Sequence, residues 1–153
     1  MSIIKTVLFL SKFIDSIKLR FSRLFSKRDG EYQEKFPTGQ LKAKGYYKNG
    51  LKEDYWTLYY ESGTLKEEGK YQEGLKEGKW MYYFQNGAIE NIEHNIKGKV
   101  DGEFQSYHEN GKKAAVGHYR NGKREGVFRI YDETEKLIEE IEFYNGEKKI
   151  TNR

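Results

Sequence analysis

The stretch Gly78-Lys79-Trp80-Met81-Tyr82-Tyr83-Phe84-Gln85-Asn86-Gly87 decides the fold, because a recognisable copy of it begins every 24 residues. Self-similarity at a fixed period marks a repeat array, in which each unit buries its apolar face against its neighbours. We therefore divide the chain into an N-terminal segment, five repeats and a short tail. Their bounds are 1–29, 30–53, 54–77, 78–101, 102–125, 126–149 and 150–153.

Two aromatic positions recur in this frame. A bulky ring comes first and a tyrosine follows three residues later, and successive side chains of a strand point to opposite faces. We expect the rings to form the core of a thin sheet, with a partner surface as the alternative role. The first set is Tyr32, Trp56, Trp80, Phe104 and Phe128, and the second set is Tyr59, Tyr83, Tyr107 and Tyr131.

Turn signals separate the apolar runs. Asn-Gly pairs are the strongest short hairpin signal, and they begin at Asn49, Asn86, Asn110, Asn121 and Asn145. The spacing predicts a mainly β fold, an elongated single-layer antiparallel meander of about ten strands with two strands per repeat. We expect no helix in the repeats, since a glycine in a helix interior costs about 1 kcal/mol.

Composition narrows the class of protein. Apolar residues make up 36% of the chain, and 13 Tyr, 9 Phe and 2 Trp supply much of that fraction, so rings carry the core. The absence of cysteine excludes disulfides and thiolate chemistry.

Charge is divided unevenly along the chain. Residues 1–29 hold seven basic and two acidic side chains, a net charge of +5, whereas the remainder holds 21 basic and 22 acidic ones. The repeats are therefore balanced, which disfavours a nucleic-acid groove along them.

The N-terminal segment has a different periodicity. Apolar residues recur there at alternating spacings of four and three positions, which predicts a basic amphipathic α-helix. They are Ile3, Val7, Leu10, Ile14, Ile17, Phe21 and Leu24. Such a helix packs on the sheet or lies on an anionic membrane. A signal peptide and a transmembrane helix fit less well. The residues expected to touch a membrane are Lys5, Lys12, Phe13, Lys18, Arg20 and Arg23.

Residues able to carry chemistry are few. His94 and His118 occupy the same repeat position, about 10 Å apart on alternate strands, which is too far for one metal ion. His108 stands where other repeats have a ring and reads as a packing residue. No nucleophile triad or phosphate loop is present, so we expect no enzyme, no cofactor, no metal and no small-molecule substrate.

The pattern G-x-W-x-x-Y-Y-x-N-G-x-L followed by G-x-Y-x-x-G, as in residues 54–74 and 78–98, resembles the bacterial variant of the MORN repeat. The resemblance covers about 120 residues and implies an antitoxin-like repeat protein. Departures lie in the third repeat, at Glu93 and Asn95, and in the fifth, at Asp132, Glu135 and Ile141.

These observations predict a non-catalytic scaffold that binds a protein partner, with a toxin as the partner that the resemblance implies. The alternative is a peripheral membrane protein docking through its N-terminal helix, and a third possibility is cell-wall glycan binding through the rings. We expect the protein in the cytoplasm, at the membrane if the helix docks there.

Overall fold

The computed structural model describes residues 29–149, and these form one antiparallel sheet whose strands follow one another in chain order. Each strand pairs only with its neighbours in sequence. The strands are β1 (Gly30–Lys35), β2 (Leu41–Lys48), β3 (Leu51–Tyr59), β4 (Leu65–Gln72), β5 (Leu75–Tyr83), β6 (Ile89–Ile96), β7 (Lys99–Tyr107), β8 (Lys113–Arg120), β9 (Lys123–Tyr131), β10 (Leu137–Tyr144) and β11 (Glu147–Lys148).

Two kinds of turn alternate along the meander. Tight two-residue turns join β2 to β3, β4 to β5 and their equivalents, and in Glu73-Gly74 both residues have positive φ, 51° and 81°. That is the type I′ geometry, whose twist matches the flanking strands. Longer turns lie at the opposite ends of the strands, where the amide of Phe84 donates to the carbonyl of Ala88 at 2.9 Å.

A β-bulge interrupts the pairing of β4 with β5. Gly69 pairs with Trp80 but Lys70 pairs with Glu77, so Gly78 and the residue after it are additional on β5. Gly78 has φ of 71°. Asp54 holds the same repeat position at φ of 59°, an uncommon conformation for a residue with a side chain.

The fold prediction needs two corrections. The sheet has eleven strands and not ten, because the chain turns at Asn145-Gly146 and begins a further short strand, β11. The prediction of a mainly β, single-layer antiparallel meander is confirmed, but the fold includes no helix within residues 29–149, so the predicted N-terminal helix is wrong for the described chain. The predicted helix falls on residues 1–29, which apart from Asp29 lie outside the described residues.

The core lies on one face of this single layer. Trp56 and Trp80 are 1% and 0% exposed, although no second sheet covers them within the described chain. Within residues 29–149, rings of the neighbouring strands pack against both tryptophans, Tyr47 and Tyr71 against Trp56 and Tyr71 against Trp80. No helix of residues 29–149 is long and apolar enough to cross a membrane.

Candidate interaction surfaces

The first set of predicted rings lies on one side of the sheet, which we call the ring face. Rings from the return strands stand between them, so that Trp56 and Tyr71 have centroids 6.0 Å apart, and Tyr71 and Trp80 are 4.9 Å apart. Most of these contacts are edge to face, the arrangement that ring quadrupoles favour. Members of the ring face are Tyr32, Tyr47, Trp56, Tyr71, Trp80, Phe104, Tyr119, Phe128 and Phe143.

Glycine makes room for each buried tryptophan. A Cβ on Gly69 would lie 2.4 Å from the indole carbons of Trp80, and a Cβ on Gly45 would lie 2.3 Å from those of Trp56. The indole N–H of Trp80 then donates to the carbonyl of Lys70 at 3.0 Å, beside the bulge. The ring thus covers the neighbouring backbone and completes its hydrogen bonding.

Cations cover the outer side of three rings. The Nζ of Lys76 lies 3.9 Å from the ring centroid of Trp80, that of Lys52 lies 4.2 Å from Trp56, and the guanidinium carbon of Arg124 lies 5.4 Å from Phe128. Cations at this distance are attracted by the ring quadrupole. Most of the ring face is therefore closed by groups of the chain itself.

The third repeat breaks this pattern. Asn95, only 2% exposed, stands where the equivalent strands carry Tyr71 and Tyr119, and the ladder of ring contacts stops on either side of it. Glu93 stands where they carry glycine and pairs with both Trp80 and Phe104. The ring face thus contains two aromatic blocks separated by a polar strand.

Hydrogen bonds connect the polar strand to its neighbours. Tyr82 donates its hydroxyl proton to Glu93 Oε1 at 2.6 Å, and Asn95 Nδ2 donates to the same oxygen at 3.0 Å. Lys76 donates to the Tyr82 hydroxyl and to Glu67, each at 2.8 Å. Burial, followed by the hydrogen bond to Glu93, raises the pKa of Tyr82 above its usual value.

The second set of predicted residues lies on the opposite side, which we call the tyrosine face and define by Tyr59, Tyr83, Tyr107 and Tyr131. All four are half-buried. Tyr83 donates its hydroxyl proton to Glu68 at 2.6 Å. Burial, and then this hydrogen bond, raises the pKa of Tyr83 to about 12. The structure thus divides the predicted aromatic residues between the two faces.

A row of cross-strand pairs runs across the middle of the tyrosine face, and we call it the central row. Its four central members, Met81, Ile92, Gln105 and Val116, carry no charge, whereas Glu68 and Arg129 flank them on either side. Met81, Ile92 and Val116 are half-buried and have no second layer over them in the described chain. The row reads Gln33, Lys44, Thr57, Glu68, Met81, Ile92, Gln105, Val116, Arg129 and Glu140.

The histidines have structural contacts. His108 Nε2 lies 3.0 Å from the carbonyl of Tyr131. Tyr60 holds the equivalent position two repeats earlier, and its hydroxyl donates to the carbonyl of Tyr83 at 2.7 Å. His94 Nδ1 lies 3.1 Å from the carbonyl of Asp101. Residues 29–149 contain no cluster of three side chains able to hold a metal ion.

A recurring set of acidic side chains was not predicted from the sequence. In the first four repeats an acidic side chain accepts a hydrogen bond from the amide of the next tight turn, as Glu53 does from Glu73 and Glu77 does from Lys97, each at 2.8 Å. Asp101 and Glu125 act in the same way. The signal was present as an acidic residue recurring every 24 positions, just before the bulge.

The residues expected to touch a membrane, Lys5, Lys12, Phe13, Lys18, Arg20 and Arg23, lie outside the described residues.

Comparison with protein families finds one match. The model of the MORN repeat variant matches residues 28–49, 55–73, 100–121 and 124–145, together more than half of the chain. The matched segments leave out residues 74–99, which carry Glu93 and Asn95 in place of the repeat's glycine and ring. No curated relative matches the chain significantly.

Proposed function

We propose that this chain, which belongs to the MORN repeat variant family, is a non-catalytic scaffold that binds a protein partner through its tyrosine face. The observation that supports the proposal is the uncharged centre of the central row, formed by Met81, Ile92 and Val116 between charged neighbours. Protein interfaces combine an apolar centre with a polar rim in the same way.

The two faces differ in what they offer a partner. On the ring face, Lys52, Lys76 and Arg124 already occupy the outer side of three rings, so the largest apolar surfaces are covered. On the tyrosine face the uncharged side chains of four neighbouring strands, three of them apolar and together about 15 Å across, have no second layer over them within residues 29–149. A protein surface is therefore better matched to the tyrosine face.

A capture experiment from the native cell tests the proposal, with the full chain immobilised. Ile92→Lys places a charge in the uncharged centre, and we expect it to reduce capture of the partner at least about tenfold. Ile96→Lys makes the same change in the same strand, at a residue 44% exposed beside the tight turn, and should leave capture unchanged. Equal capture by both variants would sink the proposal.

We propose further that the partner is a small toxic protein, as the antitoxin-like resemblance implies. Co-expression with the product of the adjacent gene tests this idea. Growth restored by the wild-type chain and not by Ile92→Lys supports it, and restoration by neither chain contradicts it.

A second candidate function is contact with an anionic membrane. The charge division favours it, because residues 1–29 carry a net charge of +5 beside a nearly neutral repeat array. Sedimentation with vesicles containing phosphatidylserine should then be lost on deletion of 1–29 and should weaken at high salt. Sedimentation that survives the deletion would exclude this function. On either proposal the protein works in the cytoplasm.

Glycan binding through the rings receives no support from the ring face. A glycan chain stacks on a row of open rings, and the cations over Trp56, Trp80 and Phe128 leave no such row within residues 29–149, although Phe104 is uncovered there.

A further inference from the structure

We propose that the ring face carries, over Phe104, a binding site for a positively charged side chain of another protein, a lysine ammonium or an arginine guanidinium. The site lies on the face opposite the central row, so this inference does not rest on the proposed function.

Among residues 29–149, a cation of the chain lies over three equivalent rings of the ring face but not over Phe104. In three repeats the chain places its own cation over the ring, from Lys52, Lys76 and Arg124. At Phe104, the ring of the fourth repeat, the equivalent residue is Val100, which is half-buried and cannot act as a cation. Within the described chain, no lysine or arginine lies over Phe104.

The ring of Phe104 is also more exposed than the equivalent rings. Trp56, Trp80 and Phe128 are at most 5% exposed. Phe104 is less buried than these three, although Tyr119 packs against it with ring centroids 5.5 Å apart. The outer side of the ring that is covered elsewhere is thus accessible at Phe104.

The carboxylate of Glu93 belongs to the residue paired with Phe104. Glu93 pairs directly with Phe104 across β6 and β7, so their Cβ atoms are about 5 Å apart. Tyr82 and Asn95 both donate to its Oε1 atom. Among residues 29–149 no lysine or arginine forms an ion pair with Glu93, so its negative charge lies beside an uncovered ring.

Polar side chains continue along the ring face from Glu93. Asn91 Oδ1 is a buried atom without a hydrogen-bond partner, two residues before Glu93 on the same strand and the same face. Ser106 pairs with Asn91 across the strands. A ring with a carboxylate beside it matches the charge and the donors of an ammonium or guanidinium group.

Titration of the full chain with N-acetyl-arginine amide tests the site, followed by NMR of the Phe104 ring signals. We expect saturable shifts with an affinity in the millimolar range or weaker, because an exposed cation–π contact and an exposed ion pair are both weak interactions. N-acetyl-citrulline amide has nearly the same shape without the charge and should cause no saturable shift.

Three variants separate this site from non-specific attraction. Glu93→Gln keeps an acceptor for Tyr82 and Asn95 but removes the charge, and should weaken binding about tenfold, or about 1.4 kcal/mol. Val100→Lys introduces the cation that the other repeats carry and should weaken binding similarly by occupying the ring. Val127→Lys makes the same exchange on the tyrosine face, where Val127 is 37% exposed, and should leave binding unchanged.

Equal binding by Val100→Lys and Val127→Lys would overturn the proposal, as would shifts of Phe104 that citrulline reproduces or the absence of any saturable shift. If Val100→Lys does not fold, judged by circular dichroism, the comparison of Glu93→Gln with the wild-type chain decides alone.

Discussion

Trp80 lies directly against Gly69 of the neighbouring strand, so closely that a Cβ on the glycine would come within 2.4 Å of indole carbons. This contact places a large ring on a single-layer sheet with 0% exposure. The same pairing recurs at Gly45 with Trp56 and at Gly117 with Phe128, so a glycine facing a ring is a recurring feature of the repeat.

Gly69→Ala should therefore destabilise the protein strongly. The added methyl group collides with a ring that has no free space to move into, and we expect a loss of about 3 kcal/mol in the free energy of unfolding, measured by urea denaturation. Gly78→Ala is the matched control, because nothing lies within 4 Å of its Cβ position and only its φ of 71° opposes the change. The control should lose about 1 kcal/mol. A smaller loss at Gly69 than at Gly78 would contradict the packing argument.

Substitutions in two tight turns should stabilise the protein. Glu73 and Lys97 adopt φ of 51° and 50° where the equivalent turns have asparagine, such as Asn121 at 55°. Asparagine tolerates this conformation better than glutamate or lysine, so Glu73→Asn and Lys97→Asn should each raise the free energy of unfolding by about 0.5 kcal/mol. The reverse exchange, Asn121→Lys, should lower it by a similar amount. Thermal unfolding of the three variants tests the set, and a gain from Asn121→Lys would argue against the turn geometry.

The polar strand of the third repeat should respond as a unit. Glu93→Gly alone removes the acceptor of the buried Asn95 amide and should cost about 2 kcal/mol in the free energy of unfolding. Adding Asn95→Tyr restores the aromatic ladder and should recover most of that loss, because each new ring pair contributes about 1 kcal/mol. Denaturation of the single and double variants measures the coupling. If the change in the free energy of unfolding of the double variant equals the sum of the changes in the two single variants, Glu93 and Asn95 do not act together.

Alkaline pH should destabilise the fold through buried tyrosines. Burial, and then the charge of Glu67, raises the pKa of Tyr71 to about 12, and burial with the Glu68 hydrogen bond does the same for Tyr83. Because a raised folded-state pKa favours the folded protein only while the hydroxyl stays protonated, this contribution is complete below about pH 10 and is lost as the pH rises toward 12. Unfolding measured across that range should show the decline. Tyr83→Phe should flatten part of it, whereas Tyr55→Phe, at a residue 59% exposed, should not.

The repeat period and its alternation predict most of the sheet correctly. Spacing alone places Trp80 and Tyr83 on opposite faces, because side-chain direction in a strand depends only on position. The family match confirms the resemblance to the MORN repeat variant over four segments. The match leaves out the third repeat, where the sequence already departs at Glu93 and Asn95.

Other features could not be predicted from spacing. Lys76 and Arg124 precede Trp80 and Phe128 by four residues on the same strand, and the cations lie over the rings because of side-chain conformation and the bulge between the two positions, which the period does not state. The eleventh strand depends on whether the chain after Asn145-Gly146 finds a partner in β10, as it does at Phe143 and Lys148. The helix expected in residues 1–29 forms no part of the described fold.

The sequence by itself determined the architecture of this protein, since a 24-residue period with fixed ring and glycine positions admits one strand order and one alternation of faces. Only the tertiary structure decided which aromatic surface is closed and which is open. The reason is that closure depends on contacts between strands: the glycine beneath Trp80, the ammonium of Lys76 above it, and the carboxylate that takes the glycine's place beside Phe104.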